Sequence, residues 1–598
     1  MAEALQYMQR YQLKALIRFI SDTIDEVTRK SVSDAGLTAE EYEKRESKRI
    51  RLQYSLKECI YGSRPDKQFV KDFIYDLLER IYGLDEDNIN NVISFDKEEN
   101  LSVQDKFDIL LYMYHKNSGK RALDEIIQKY RLDEMKQVDN MLCFCITPED
   151  INNIWQRETP SLSFHDKMNI VVQRVYSLYK GYNCVDDILD MQIDGVSGGV
   201  NGLPETFVYD NSKDYEYYLD QLNEKKIPRS YESVWLFYRG KSIHLRFLSF
   251  NSYDELKRIC ENIYKFGSPG QLSQATGFKV NKLKDGSRVV VLRPEFCENW
   301  VFFVRKFDLP DVSLNWLIKG KGSEIAREFL VYLVKGCRNI AITGQQGTGK
   351  TTLLNALIEH IYSVYTLRIL EMAFELHVRA RFPLRNIVTV QETDTITGQD
   401  GLDIFKKTDG TVTIVGEVAS DPVAAYMIQT AQVASLFTIF SHHAKTFKEL
   451  VMSLRNSLLK TGIFQNENIA EEQVVRTLHF DIHLKKSITG KRYIERITEC
   501  IPLKEEDYPA DFRYTSDPLE MQKAFYETQF TFFRKMTGRK LYTWRDIIIF
   551  DETKDEYIPL HMPTEAAISE MKACMLPSDR KTLEDFMDKH FNFKEDRP

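Results

Sequence analysis

The residues whose types and spacing most clearly imply chemistry are Gly344, Gln345, Gln346, Gly347, Thr348, Gly349, Lys350 and Thr351, followed by Thr352. Their pattern, G-x-x-x-x-G-K-T, is that of a phosphate-binding P-loop. The glycines let the backbone wrap closely around an anion, so that successive N–H groups and a helix N-terminus point at phosphate oxygens. Lys350 supplies a point charge for β- and γ-phosphates, and Thr351 a hydroxyl for magnesium. Such a loop has to leave a strand and enter a helix. Residues 339–343 are apolar and β-branched, as in a buried parallel strand, and residues 351–362 have helical periodicity.

More chemistry stands at the ends of other apolar runs. Glu371 and Glu375 follow the strand 367–370, Glu417 follows 411–415, and His442 and His443 follow 436–440; a further strand is predicted at 387–390. Helical stretches at 323–335, 422–432 and 448–459 separate these elements. Apolar strands alternating with helices imply a parallel sheet covered on both faces, with chemistry at the carboxyl ends of its strands.

Composition bounds the rest. A chain of 598 residues with 43% hydrophobic and 28% charged residues is an ordinary globular chain, too long for one core. Roughly two to four domains are expected. A formal net charge of −8 argues against a general nucleic-acid-binding surface. No apolar run reaches the length of a membrane span, and residues 1–20 mix charges into an amphipathic pattern, so neither a signal peptide nor a membrane anchor is expected. The nine cysteines are scattered; Cys143 and Cys145 form C-x-C on an apolar segment with no second pair or nearby histidine for a zinc site, and buried reduced thiols are expected.

Taken in order, residues 1–180 read as a mainly helical accessory or docking domain, with a helical hairpin closing at Asn117-Ser118-Gly119. Residues 181–308 read as α+β. A turn-rich stretch at 194–202 precedes strands at 206–209, 233–238 and 243–247, joined by the hairpin turn Tyr238-Arg239-Gly240-Lys241. A helix at 253–266 and strands at 289–292 and 299–304 follow. Residues 309–502 form the P-loop domain. Residues 503–598 form a C-terminal accessory region in which the aromatics at 525–533 and the amphipathic 582–591 suggest core or docking helices.

The ordered set G-Q-Q-G-T-G-K-T-T, R-I-L-E-M-A-F-E-L, V-x-x-Q-E-T, T-I-V-G-E-V and F-S-H-H-A resembles the secretion ATPases of the type II/type IV superfamily. Within it, the chain is most similar to the CpaF/TadA-type ATPases of tight-adherence (Flp) pilus assembly. The resemblance covers about residues 190–500, including Asp285-Gly286-Ser287-Arg288 and Arg305-Lys306-Phe307. It implies an α/β fold class: a RecA-like P-loop NTPase domain preceded by a smaller α+β domain, with a mainly helical N-terminal extension. It implies ATP and magnesium as cofactors, bound by residues 344–352. Glu417 matches the Walker B acid that holds the magnesium shell, and Glu371 and Glu375 the acidic box, whose second member orients the attacking water. His443 matches a γ-phosphate sensor. Arg288, Arg293 and Arg305 match arginines that reach nucleotide across a domain or subunit boundary, Arg288 best. The resemblance further implies a cytoplasmic homo-hexamer that works on an inner-membrane platform protein, without direct nucleic-acid binding.

Four departures from the family pattern bear on turnover. Met372 stands for an aspartate, Ala419-Ser420 for arginine and glycine, and Val433-Ala434-Ser435 for a T-G-H-like turn; Lys406 and Lys407 replace arginines and lose bidentate geometry. They keep two alternatives in view: a nucleotide-binding assembly scaffold with little hydrolysis, and the motor of a conjugation-type, DNA-coupled system.

Overall fold

The computed structural model describes residues 9–29, 38–138, 140–158, 160–204, 227–307, 313–393, 395–503, 517–537 and 541–591. The chain divides into two units, Met1–Asp308 and Leu309–Pro598.

The sheet of the first unit comprises β1 (Met135–Val138), β2 (Met141–Ile146), β3 (Gly195–Gly198), β4 (Val234–Tyr238), β5 (Lys241–Leu245), β6 (Phe278–Lys282), β7 (Arg288–Leu292) and β8 (Val301–Arg305). Their spatial order is β1-β2-β5-β4-β3-β8-β7-β6. Within the stretch expected to be turn-rich, residues 199–202 do bend, with Gly199 and Gly202 at φ 78° and 84°, but Gly195–Gly198 is the fully buried strand β3 near the middle of the sheet. Its glycines serve close packing: a Cβ on Gly195 would strike the Val304 carbonyl, and one on Gly198 the rings of Phe302 and Phe250. The β4–β5 turn is as expected, with Arg239 and Gly240 at φ 46° and 77°, the left-handed pair that a two-residue hairpin requires. The expected strand at 206–209 lies outside the described residues.

Residues 1–180 are mainly helical, but β1 and β2 belong to this sheet, with β2 pairing in parallel to β5. One hydrophobic core runs from Leu16 and Ile24 in the N-terminal helices to Val289 and Val304 in the sheet. Buried Lys67 binds Asp186 at 3.1 Å and Asp190 at 3.4 Å, pinning the helix Arg64–Leu77 to the segment beyond Gly181. The boundary expected near residue 180 is thus not a gap in packing.

The second unit contains β9 (Ile340–Gly344), β10 (Leu367–Glu371), β11 (Ile387–Gln391), β12 (Val412–Val415), β13 (Phe437–His442), β14 (Phe480–Lys486), β15 (Arg492–Pro502), β16 (Tyr542–Asp551) and β17 (Glu556–Pro559). The order is β11-β10-β12-β13-β9-β14-β15-β16-β17. The strands from β11 to β14 pair in parallel, and β15, β16 and β17 add on antiparallel. Strand alternation sends Ile340 and Ile342 into a core with the helices Ser323–Lys335, Lys350–Ile358, Glu565–Cys574 and Pro577–Phe591. Ala341, Val415 and Phe440 face the helices Asp421–Val433, Phe447–Lys460 and Glu467–Thr477.

The C-terminal region is consequently not a separate accessory body. β16 pairs along β15 from Tyr542 to Ile549, and Phe586 and Phe591 pack against Phe329 in the core. The aromatics at 525–533 lie on the helix Pro518–Thr537, where Phe525, Tyr526, Phe530 and Phe533 are exposed and Thr531 is buried. The fold class is α/β: a RecA-like P-loop unit preceded by an α+β unit whose N-terminal part is helical.

Candidate nucleotide site

All five residues of β9 are buried, and the chain leaves the sheet at Gly344. Gly344, Gly347 and Gly349 have φ of 139°, 77° and 99°, a region that side chains disfavour. At Gly344 space forbids a side chain as well, because a Cβ would meet the Leu484 carbonyl of β14. The helix begins at Lys350, whose buried ammonium donates to the carbonyls of Gly344 at 2.9 Å and Gln345 at 3.1 Å. Thr348 donates to the same Gln345 carbonyl at 2.8 Å, closing the loop on itself. Gln345 and Gln346 are exposed, and Thr351 and Thr352 are half-buried in the first helical turn.

The sheet brings Glu417 and His443 to this loop. After β12, the Gly416 amide donates to the Leu370 carbonyl at 2.8 Å, Ser441 donates to the Gly416 carbonyl at 2.5 Å, and the Val418 amide donates to the Ser441 carbonyl at 3.0 Å. Glu417 is thereby fixed between the ends of β10 and β13. His443 Nε2 lies 2.9 Å from Glu417 Oε1, and His443 Nδ1 lies 3.2 Å from Lys350 Nζ. An ammonium only donates, so Nδ1 accepts and the ring proton resides on Nε2, donated to Glu417. Lys350, His443 and Glu417 form one hydrogen-bonded chain across three loops.

Glu371 has a different setting from its partner in the acidic pair. It is 4% exposed, and its Oε2 accepts the amides of Glu375 and Leu376, each at 2.8 Å. Burial pushes its carboxyl up to about 7, against the opposing pull of those two amides. Glu371 thus folds the turn that presents Glu375, which is half-buried, while Met372 is exposed. His442, the last residue of β13, and His443, just beyond it, have different partners: His442 Nε2 lies 3.3 Å from the Ser453 hydroxyl, and burial pushes its pKa down to about 4.

Arg288 and Arg305 lie in the first unit as register partners on β7 and β8. Both are exposed, and neither side chain makes a hydrogen bond or ion pair among the described residues. Arg293 sits over the Trp300 ring at 5.6 Å and donates to the Leu272 carbonyl at 3.4 Å. Two features near the P-loop carry no motif and escape the sequence. The stem of Arg492, at the start of β15, packs 3.8 Å from the position a Cβ of Gly349 would occupy. Under the loop, Thr343 is hydrogen-bonded to Asp481 and His483 of β14. For magnesium, the donors at hand are the Thr351 hydroxyl and the Glu417 carboxylate, hard oxygens of the class that ion takes.

Residues 286–478 match the family described as Type II/IV secretion system protein. That segment is similar to this family. An uncharacterized protein of Bacillus anthracis is 23% identical over 184 residues, which is 29% of this chain and 41% of that protein. The match therefore spans less than half of the curated relative. Among solved structures, the VirB11 ATPase from the Brucella suis type IV secretion system is 17% identical, with 51% of this chain and 89% of that chain covered at a TM-score of 0.26. The Legionella pneumophila ATPase DotB is 15% identical, with coverages of 55% and 91% and a TM-score of 0.34. At such TM-scores the structural likenesses carry no argument about the site.

Proposed function

We propose that this chain is an ATP-hydrolysing motor that powers pilus assembly or protein secretion, of the CpaF/TadA type. The observation that carries the reading is the chain from Lys350 through His443 to Glu417 beside a complete P-loop. The phosphates of ATP accept the loop amides, and the Lys350 ammonium exchanges the Gly344 and Gln345 carbonyls for phosphate oxygens. Thr351 and Glu417 are the residues that would hold magnesium, which would offset the phosphate charge. Glu375 orients the attacking water, held in place by the turn that Glu371 folds. As Lys350 turns to the phosphates, His443 Nδ1 loses its donor, and the change passes to Glu417 and the end of β13.

In this reading Arg288 and Arg305 match phosphate oxygens of the nucleotide with planar, permanently charged groups. The working form is a cytoplasmic homo-hexamer bound to an inner-membrane platform protein, without direct contact to nucleic acid. Residues 1–180 and 503–598 contribute docking surfaces. Among the described residues no helix is long and apolar enough to cross a membrane.

The deciding experiment is phosphate release with magnesium and ATP, with mass measured by light scattering in the same samples. Wild type turns over as a six-fold assembly, and Lys350→Ala and Glu417→Gln each lower turnover about 100-fold or more. ATP binding without phosphate release in any assembly state would replace the motor with a nucleotide-dependent scaffold.

A further inference from the structure

Immediately below the P-loop the sheet carries a polar row where apolar residues would be expected. His442, Thr343, His483 and Arg496 are register partners across β13, β9, β14 and β15. Asp481, two residues before His483 on β14, shares their face. The Thr343 hydroxyl donates to Asp481 Oδ1 at 2.6 Å. With its proton committed there, its lone pair accepts from His483 Nδ1 at 2.8 Å.

This arrangement is costly. Asp481 is fully buried, and its Oδ2 has no hydrogen-bond partner; Arg496 Nη2 is the near cation, at 3.6 Å. Further charged groups act on this cluster: Glu495, 3.7 Å from His483 Nε2 and paired with Lys485 at 2.9 Å, Lys350 of the P-loop, and Asp546, which accepts from the Thr498 hydroxyl at 2.6 Å. Burial pushes Asp481 up to about 6. A leucine or valine at this position would avoid the penalty of a buried carboxylate. What Asp481 holds is Thr343, the residue from which Gly344 opens the phosphate loop against the Leu484 carbonyl of the same strand β14.

We propose that Asp481 is a positioning residue for nucleotide binding: through the Thr343 hydroxyl it fixes the point at which the P-loop leaves the sheet. The inference rests on the nucleotide reading above and extends it to a residue outside the motifs. The loop amides hold the diphosphate shared by ADP and ATP, so a displaced root weakens both nucleotides alike and leaves the chemical step nearly unchanged.

The test measures magnesium-ATP and magnesium-ADP affinity by calorimetry, together with turnover, for wild type, Asp481→Ala, Asp481→Asn, Thr343→Val, Thr343→Ser and the double variant Asp481→Ala/Thr343→Val. Asp481→Ala and Thr343→Val should each weaken both nucleotides about tenfold. kcat should stay within about twofold, and the double variant should be no weaker than Asp481→Ala alone. Asp481→Asn and Thr343→Ser keep the accepting oxygen and the donating hydroxyl, and should bind as wild type does. Wild-type affinity in Asp481→Ala, or single losses that multiply in the double variant, overturns the proposal. Should Asp481→Ala fail to fold, equal affinities in Thr343→Val and Thr343→Ser overturn it as well. A wild type that binds neither nucleotide defeats the nucleotide reading itself, and this inference with it, before any variant is compared.

Discussion

Glu371 illustrates how one carboxylate can serve a site from behind. Its ordinary value of 4.5 rises to about 7 in the fold, because burial outweighs the two amides it accepts. The folded state therefore keeps a proton that an unfolded chain releases at lower pH. The stabilisation from that proton is full below pH 4.5 and is lost as pH rises through about 7, a swing of roughly 3 kcal/mol. Glu371→Gln stays neutral and keeps an accepting oxygen for Glu375 and Leu376. In urea unfolding it should match wild type near pH 4.5 and exceed it at pH 8.5; equal stability at both pH values would refute the assignment. His443 acts in the open and is tested by function: His443→Ala should slow turnover about tenfold or more while ADP affinity holds, since it lines the chain from Lys350 to Glu417 without supplying loop amides. A parallel loss of ADP affinity would assign His443 to holding the loop instead.

At the scale of elements, the second sheet depends on the C-terminal region that the sequence presents as accessory. β15 is eleven residues long and is paired by β14 on one side and β16 on the other. A chain ended after Leu503 would leave β15 as a long open edge and strip Phe586 and Phe591 from Phe329. Such a truncation should aggregate on expression, as sedimentation would show; a soluble, ATP-hydrolysing product would mean the C-terminal strands are peripheral after all. Within the intact chain, Phe329→Ala should cost about 3–5 kcal/mol in chemical denaturation, because it removes a fully buried ring that touches three other phenylalanines.

For the whole molecule, the division at Asp308 and Leu309 predicts two cooperative unfolding events in calorimetry. Magnesium-ATP at a hundred times its Kd should raise the transition of the P-loop unit by about 2.7 kcal/mol in stability. If Arg288 and Arg305 reach the nucleotide, the transition of the first unit rises too, and Arg288→Ala with Arg305→Ala removes that second shift alone. A single transition moved as a whole would show that the units unfold together.

The candidate site was legible in the sequence because its parts are local. A P-loop needs contiguous glycines, Lys350 and Thr351, and buried parallel strands are short apolar runs, so β9, β10, β11, β12 and β13 could be placed within two residues of where they lie. Other elements carry patterns that mislead. Glycines in β3 read as turn formers, although they are there to let β8 approach. Asp481, His483 and Lys485 break the apolar run of β14, so neither that strand nor the polar row beneath the P-loop could be foreseen. The sequence by itself determined that a P-loop pattern is present and which strand ends carry the acids and histidines beside it, since those depend on spacing along the chain. Only the tertiary structure decided that Lys350 reaches Glu417 through His443, that Glu371 faces inward, and that residues beyond 503 complete the sheet, because those depend on which strands become neighbours.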